Sequence, residues 1–447
     1  MNEAARTGAI LTLDGGDLFW KGGRIQPENL NTQRIKAELL AEDMMALGLD
    51  AWVPGEADWA IGVDWVLALV ERHQLPVVAG NLVCGEQGFP GHRRIERDGR
   101  KIGVVGVVDT EVAGCSVLDP VDAARKAIAD LGDVDVVIGV FQGSADLESL
   151  VLREVDGFDF FFNGHTAQRT VNPREVNGAW FLGAGSQGKH LGHLELSWED
   201  NGEGAWVPTN SLEALEKRQA RFEERADSAR SALEQRGESE DSTTLQRRLE
   251  HYETQAEKLA LELEEKRKQG SSSRSFRHQL VELDRAVADN PETQSRVTAA
   301  LLRIESAADT QDASIVPLVD GPFLGSEACL GCHPAQAEQW KTTSHARAMQ
   351  TLVDLNRSLD PDCYACHATG AHHPEGPTLP GQVGERLANV GCESCHGPGR
   401  EHVQNPAGTM VASASLESCV TCHDGKQDGG RFDPATYIPK VLHPNLP

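Results

Sequence analysis

Four times in the last third of this 447-residue chain, two cysteines separated by two residues are followed directly by a histidine: CLGCH (329–333), CYACH (363–367), CESCH (392–396) and CVTCH (419–423). Two thiols at that spacing reach the two vinyl groups of one porphyrin, and the next residue then directs its imidazole at the iron. The pattern predicts four c-type haems. They would be held by Cys329 and Cys332, Cys363 and Cys366, Cys392 and Cys395, and Cys419 and Cys422, with His333, His367, His396 and His423 as proximal ligands. Zinc ribbons also use C-x-x-C pairs, but zinc does not need a histidine after every second cysteine.

Five further histidines occupy the same region: His345, His372, His373, His402 and His443. An iron held by two histidines is closed and carries electrons, whereas one with a free position also binds small molecules. The adjacent His372 and His373 are poorly placed to serve equally, so three or four irons are expected to be closed and one is a candidate open site.

The strings FLGSEACLGCHPAQAEQWKTTSHARAM, CYACHATG and VGCESCHGPGREH resemble the tetrahaem cytochrome c family of ammonia-oxidising bacteria, which takes electrons from hydroxylamine oxidoreductase. The resemblance spans residues 323–447. It implies axial roles for His345 and His402, the histidines of W-x-x-x-S-H-A and C-E-S-C-H-G-P-G-x-x-H. His443, in the terminal VLHP, is a third candidate, and the carry-over to His372 or His373 is weaker. It also implies a mixture of bis-histidine haems with a five-coordinate one, and it leaves the electron donor open.

These motifs sit in a region rich in Gly and Pro and poor in strand signals, as suits a mainly helical, irregular fold packed around haem. The preceding residues are organised differently. KIGVVGVV (101–108), VDVVIGVF (134–141), GFDFFFNG (157–164) and GAWFLGAG (178–185) are short, apolar and Gly-bounded, and they read as buried strands. TQRIKAELLAEDMMAL and PVDAARKAIADL read as helices ending at Gly48 and Gly132. Residues 1–210 are therefore expected to form a layered α/β domain.

From Leu212 the composition turns to Glu, Arg, Lys, Gln and Ala, with apolar residues at alternating three and four spacings: Leu212, Leu215, Phe222, Ala226, Ala229 and Leu233, then Leu245, Leu249, Tyr252, Ala256, Leu259 and Leu263. Two such runs about a polar GESEDS predict an antiparallel helical hairpin, a spacer that also offers a face for partners or oligomerisation. QGSSSRS (269–275) reads as a flexible break and residues 276–308 as helix interrupted at Asn290-Pro291. The expected domains are thus 1–210, 211–311 for the hairpin and linker, and 312–447 for the tetrahaem cytochrome.

LTLDGGDLF, ALGLDAWVPGEAD, DVVIGVFQGSADLE and GFDFFFNGHTA resemble the calcineurin-type metallophosphatases, most closely the 5′-nucleotidase branch, and GSQGKHLGHLELSW resembles their last strand. That family holds two metal ions through a D-x-H strand, an Asp of G-D, an Asn of G-N-H, a later His and a G-H-x-H pair, and its chemistry needs both ions. Here Asp17 and His165 match, and Glu56 could bind a metal where Asn belongs. Ala57, Gln142 and Ala167 replace three histidines, and the D-x-H strand is missing. The resemblance implies a phosphatase shape with a dismantled site, and argues against a divalent metal there.

The balance of 42 Lys and Arg against 68 Asp and Glu gives a formal charge of −26, which disfavours nucleic acid and leaves redox proteins as the expected partners. No run of about 18 apolar residues suggests a membrane span. No secretory signal is visible, yet thioether attachment of haem takes place outside the cytoplasm. A periplasmic or otherwise extracytoplasmic protein is therefore expected, with a signal and the D-x-H strand lying upstream of this sequence. Cys84 and Cys115 are expected as two small buried thiols rather than a disulfide. The leading functional expectation is an electron carrier. The alternatives are an oxidoreductase acting on a small nitrogen or sulfur compound at an open haem, and a metal-dependent nucleotidase fused to a cytochrome.

Overall fold

The computed structural model describes residues 9–20, 22, 25–109, 111–198, 204–236, 240–269, 274–284, 286–312, 317–409, 414–425, 428 and 430–443. The chain divides into two compact units, residues 1–24 with 40–288, and residues 25–39 with 289–447.

The strands of the first unit are β1 (Thr12–Asp14), β2 (Leu49–Trp52), β3 (Leu82–Cys84), β4 (Gln87–Gly88), β5 (His92–Arg97), β6 (Arg100–Val108), β7 (Cys115–Val117), β8 (Val136–Gln142), β9 (Phe160–Asn163), β10 (Arg174–Val176), β11 (Ala179–Leu182), β12 (His190–Trp198), β13 (Val207–Pro208) and β14 (Arg274–Glu282). The four runs read as buried strands are β6, β8, β9 and β11, which form the parallel centre of a six-stranded sheet ordered β10-β11-β9-β8-β6-β5. Both edge strands pair antiparallel.

Consecutive side chains of a strand face opposite ways, and Phe160 and Phe161 show the consequence. Phe161 joins Val105, Val107, Phe141 and Phe181 in the core that covers the helical face. Phe160 faces the other layer, with ring centroids 5.2 Å from both Trp206 and Phe276. That layer is the sheet β12-β14-β13.

Helices α1 (Leu30–Ala46), α2 (Val63–His73), α3 (Pro120–Leu131) and α4 (Ala145–Glu154) follow local signals. In α3 the Asp119 carboxylate accepts from Asp122 N at 2.8 Å, Pro120 opens the first turn, and Gly132 closes the helix at φ 66°. Its buried residues, Val121, Ala124, Ala127 and Leu131, recur at helical spacing and supply the face against the sheet.

The hairpin is present as α5 (Thr209–Arg236) and α6 (Glu240–Gln269), lengths of about 42 and 45 Å. Its seam buries Ala226, Ala229, Ala256, Leu259 and Leu263, and Phe222 meets Tyr252 at 6.2 Å. The side chain of Leu212 and residues 270–273 of the expected break lie outside the described residues.

Two expectations are corrected. Residues 276–282, read as the start of a helix, belong with residues 274 and 275 of the expected break to strand β14, paired along its length with β12. Phe276 and His278 are buried while Arg277 and Gln279 point out, a period of two that a helix cannot present. Cys84 and Cys115 are not free thiols. They face each other in register across the β3–β7 pair, Cα atoms 4.1 Å apart, and are joined in a disulfide.

In the second unit, α7 (Pro291–Asp312) sets Ala300 and Ile304 against Ile35 of α1 in a small core. The rest is short helices and turns, including Pro334–Lys341 (α8), Ala348–Val353, Pro361–Tyr364, Cys392–His396, Arg400–Gln404 and Leu416–Val420. Their shared core of Phe323, Leu352, Tyr364, Ala368, Val383 and Leu387 is small for the chain it serves, as in a fold completed by a large cofactor. Among the described residues no helix is long and apolar enough to cross a membrane.

Candidate haem centres and a candidate metal site

Two of the C-x-x-C-H motifs close as a single turn, with His333 N bonded to Cys329 O and His423 N to Cys419 O, both at 2.9 Å; in CYACH the bond runs from His367 N to Tyr364 O at 2.8 Å, and CESCH is the helix Cys392–His396. Ser326 Oγ accepts from Cys392 N at 3.2 Å and Thr369 Oγ1 from Gly391 N at 3.1 Å. A Cβ on Gly391 would fall 2.4 Å from that Ser326 oxygen, so this approach requires glycine.

Three of the motif histidines face one of the spare histidines. His333 and His402 have ring centroids 6.3 Å apart, His345 and His423 6.3 Å, and His396 and His443 5.9 Å. A metal–nitrogen bond of about 2 Å on each side, plus about 1 Å from each nitrogen to its ring centre, asks for roughly 6 Å. The residues thus fit an iron between each pair.

Tautomer and charge agree with that fit. His402 Nδ1 lies 2.8 Å from Thr409 O and His443 Nδ1 3.0 Å from Gln339 Oε1, which leaves Nε2 for a metal. Burial, reinforced by His423, holds His345 below the ordinary histidine range, and burial with His396 and His333 does the same to His443, which favours the neutral ligating form.

Among the described residues His367 faces no other imidazole in this way; its Nδ1 is 2.6 Å from Ala348 O. His372 Nε2 instead lies 3.6 Å from Cys366 Sγ, and His373 packs edge-on to Phe323 at 5.2 Å and accepts from Glu375 N. Cys366, His372 and Cys422 are, among the described residues, the one trio of His, Cys, Asp or Glu whose ligand atoms lie within 4.8 Å of one another. Two of the three are cysteines of the C-x-x-C-H motifs.

Sequence reading missed Glu393, the second residue of CESCH. It is buried, and its carboxylate accepts from Leu324 N (3.0 Å to each oxygen), Gly325 N (2.6 Å) and Gly399 N (2.7 Å). It ties the stretch before the first motif to the loop before His402. A glutamate inside a motif already assigned to haem was the available signal.

In the first unit the metallophosphatase positions gather at the carboxyl ends of β1, β8 and β9. Gly15 and Gly164 touch there: a Cβ on Gly15 would be 2.9 Å from Gly164 Cα. Asp17, at φ 55°, accepts from Ala57 N at 2.9 Å and lies 3.8 Å from His165 Nδ1. Glu56 is exposed and is not drawn into a cluster with them.

Asp58 is a structural staple, accepting at 2.8 Å from Asp17 N, Phe19 N and Gly55 N. Burial is the main cause that pushes Asp58 up to about 7, and likewise Asp14 up to about 6. Gln142, where the metallophosphatase resemblance expects histidine, is fully buried, and among the described residues neither amide atom finds a hydrogen-bond partner. A Cβ on Gly55 would sit 2.1 Å from its Nε2 and 2.2 Å from Asp17 Oδ1, so the amide lies against Gly55 close to the Asp17 carboxylate.

Comparison with known proteins bears on each half. Residues 328–397 match the family described as cytochrome c554 and c-prime. Over those residues the chain is similar to that family. Cytochrome c-554 of Nitrosomonas europaea is 42% identical over 89 residues, 17% of this chain and 37% of that cytochrome. The chain therefore spans little more than a third of the curated relative it matches, and c-type haem is what the family implies for this segment.

For the first unit, similar solved structures include the sulfate thiohydrolase SoxB of Thermus thermophilus (23% identity, TM-score 0.38, covering 43% of this chain and 37% of that one). A 5′-nucleotidase precursor from the same organism has 19% identity and TM-score 0.37, covering 44% and 43%. The calcineurin-like phosphoesterase YfkN of Bacillus subtilis has 20% identity and TM-score 0.36, covering 42% and 72%. These likenesses concern the fold alone.

Proposed function

We propose that this protein is an exported multihaem electron carrier with four c-type haems, three closed by histidine pairs and one open, fused to a metallophosphatase-like domain that serves docking or assembly. The carrying observation is the set of three facing pairs, His333–His402, His345–His423 and His396–His443, at 5.9–6.3 Å, with His367 outside it. Haem supplies reversible one-electron chemistry, and the protein's levers on it are axial ligand, hydrogen bonding and burial. The chain's own residues fix the imidazoles: Thr409 O and Gln339 Oε1 orient the distal rings of two pairs, and Ala348 O orients His367.

Export is supported by the disulfide between Cys84 and Cys115, which persists in oxidising compartments. Ala57, Gln142 and Ala167 at positions where the resemblance expects histidines weigh against two-metal phosphoryl transfer and favour a non-catalytic role for the first unit. A second reading follows from His367: an iron there with a free position would bind small nitrogen or sulfur compounds, making the protein an oxidoreductase. Pyridine haemochrome assay should give four haems. Addition of nitric oxide or hydroxylamine to the holoprotein distinguishes the readings, since a pure carrier gives no turnover with either.

A further inference from the structure

We propose that Lys36 sets the reduction potential of the haem carried by Cys363, Cys366 and His367, by holding a positive charge against the two carboxylates that open that haem's attachment helix. The proposal rests on reading these residues as a haem site.

Asp360 caps the helix Pro361–Tyr364: its side chain accepts from Asp362 N, and its carbonyl accepts from Cys363 N at 3.0 Å and Tyr364 N at 3.1 Å. One turn thus joins a buried carboxylate to a haem-bearing sulfur. Lys36 Nζ lies 2.6 Å from Asp360 Oδ1 and 2.7 Å from Asp362 Oδ2, and Gln33, one turn earlier on the same helix, reaches Asp362 at 3.2 Å. The lysine comes from 324 residues upstream of Asp360, on the stretch of α1 whose Ile35 packs on α7 within the same unit. No feature of the C-x-x-C-H motif itself requires it.

With Lys36 in place the trio carries a net charge of −1, and without it −2, at side chains that are 23%, 5% and 30% exposed. Charges this shielded are only weakly screened by salt or water. Reduction adds an electron to the haem, so a neighbouring positive charge favours the reduced form and an uncompensated carboxylate opposes it. The coupling is reciprocal: reducing this haem strengthens the hold of Lys36 on the two acids.

The test is a potentiometric titration of the full-length holoprotein, following the His367 haem by its high-spin electron paramagnetic resonance signal and the others optically. Lys36→Met should move that haem alone to more negative potential, Lys36→Arg should leave it near the native value, and Asp362→Asn should move it positive. Structural damage would not produce shifts of opposite sign. Shifts in one direction for both charge-removing variants, or none, overturn the role of Lys36. Intact mass gives the haem count of each variant, so loss of the haem reading is told apart from an unmoved potential.

Discussion

Replacing Glu393 by glutamine keeps the shape of the side chain and removes one of the two oxygens that hold three backbone N–H groups. Charge-assisted bonds of this kind contribute about 1.5–3 kcal/mol each. Whichever way the amide turns, its NH2 faces a donor: Gly399 N–H on the Oε1 side or Gly325 N–H on the Oε2 side. One strong bond is lost and two buried donors are set against each other, a cost of about 2–4 kcal/mol. For a unit of this size that lowers Tm by roughly 5–15 °C. Scanning calorimetry of the holoprotein, with the Soret band followed in parallel, would resolve the second unit's transition. Because Gly399 leads into the helix that carries His402, the high-spin fraction should also rise before global melting. A glutamine variant within about 0.5 kcal/mol of the native protein, or a shift confined to the first unit, would refute this account.

Other outcomes follow from the same geometry. His402→Ala should convert one further haem to high-spin and make it bind carbon monoxide, whereas His372→Ala and His373→Ala should leave the spectra unchanged; a spectral change in either of the latter would contradict the pairing. Replacing Cys84 and Cys115 by serine should cost about 3–4 kcal/mol in the first unit, given a closed loop of 31 residues, read from the urea midpoint. Gln142→Met removes two unpaired buried polar atoms and should be neutral or stabilising by up to about 2 kcal/mol; clear destabilisation would mean that the amide has a partner in solution. Asp58 and Asp14 are raised in the folded state, to about 7 and about 6, so the stability they contribute is lost as pH rises through those values. His278, pushed down to about 4 chiefly by burial, acts in the opposite sense, but only between that value and its ordinary 6.5. Between pH 6.5 and about 7 the first unit should therefore melt earlier as pH increases, and a rising Tm in that window would count against the burial of Asp58.

What the sequence made legible was local. The haem motifs, the four central strands, the helix Pro120–Leu131 and the hairpin each declare themselves through spacing within a few residues or a sustained period. What it hid was non-local. Nothing near His333 names His402 as the ring that faces it, and nothing near Cys84 names Cys115, because both pairings depend on how distant segments cross. Strand β14 was misread because its short alternation, Phe276-Arg277-His278-Gln279, follows a long helical stretch rich in the same charged residues. Lys36 and Glu393 were invisible for a related reason. A charged residue on a helix or inside a haem motif reads as solvent-facing until the fold brings its buried partners to it.

The number and coordination of the irons decide whether the protein carries three closed haems and one open one. Mössbauer spectroscopy of oxidised holoprotein enriched in iron-57, loaded by a host competent in thioether attachment, measures both at once. Three low-spin irons for each high-spin iron, with four in total, is the expected result. Four low-spin irons, or fewer than four covalently attached haems, would contradict it.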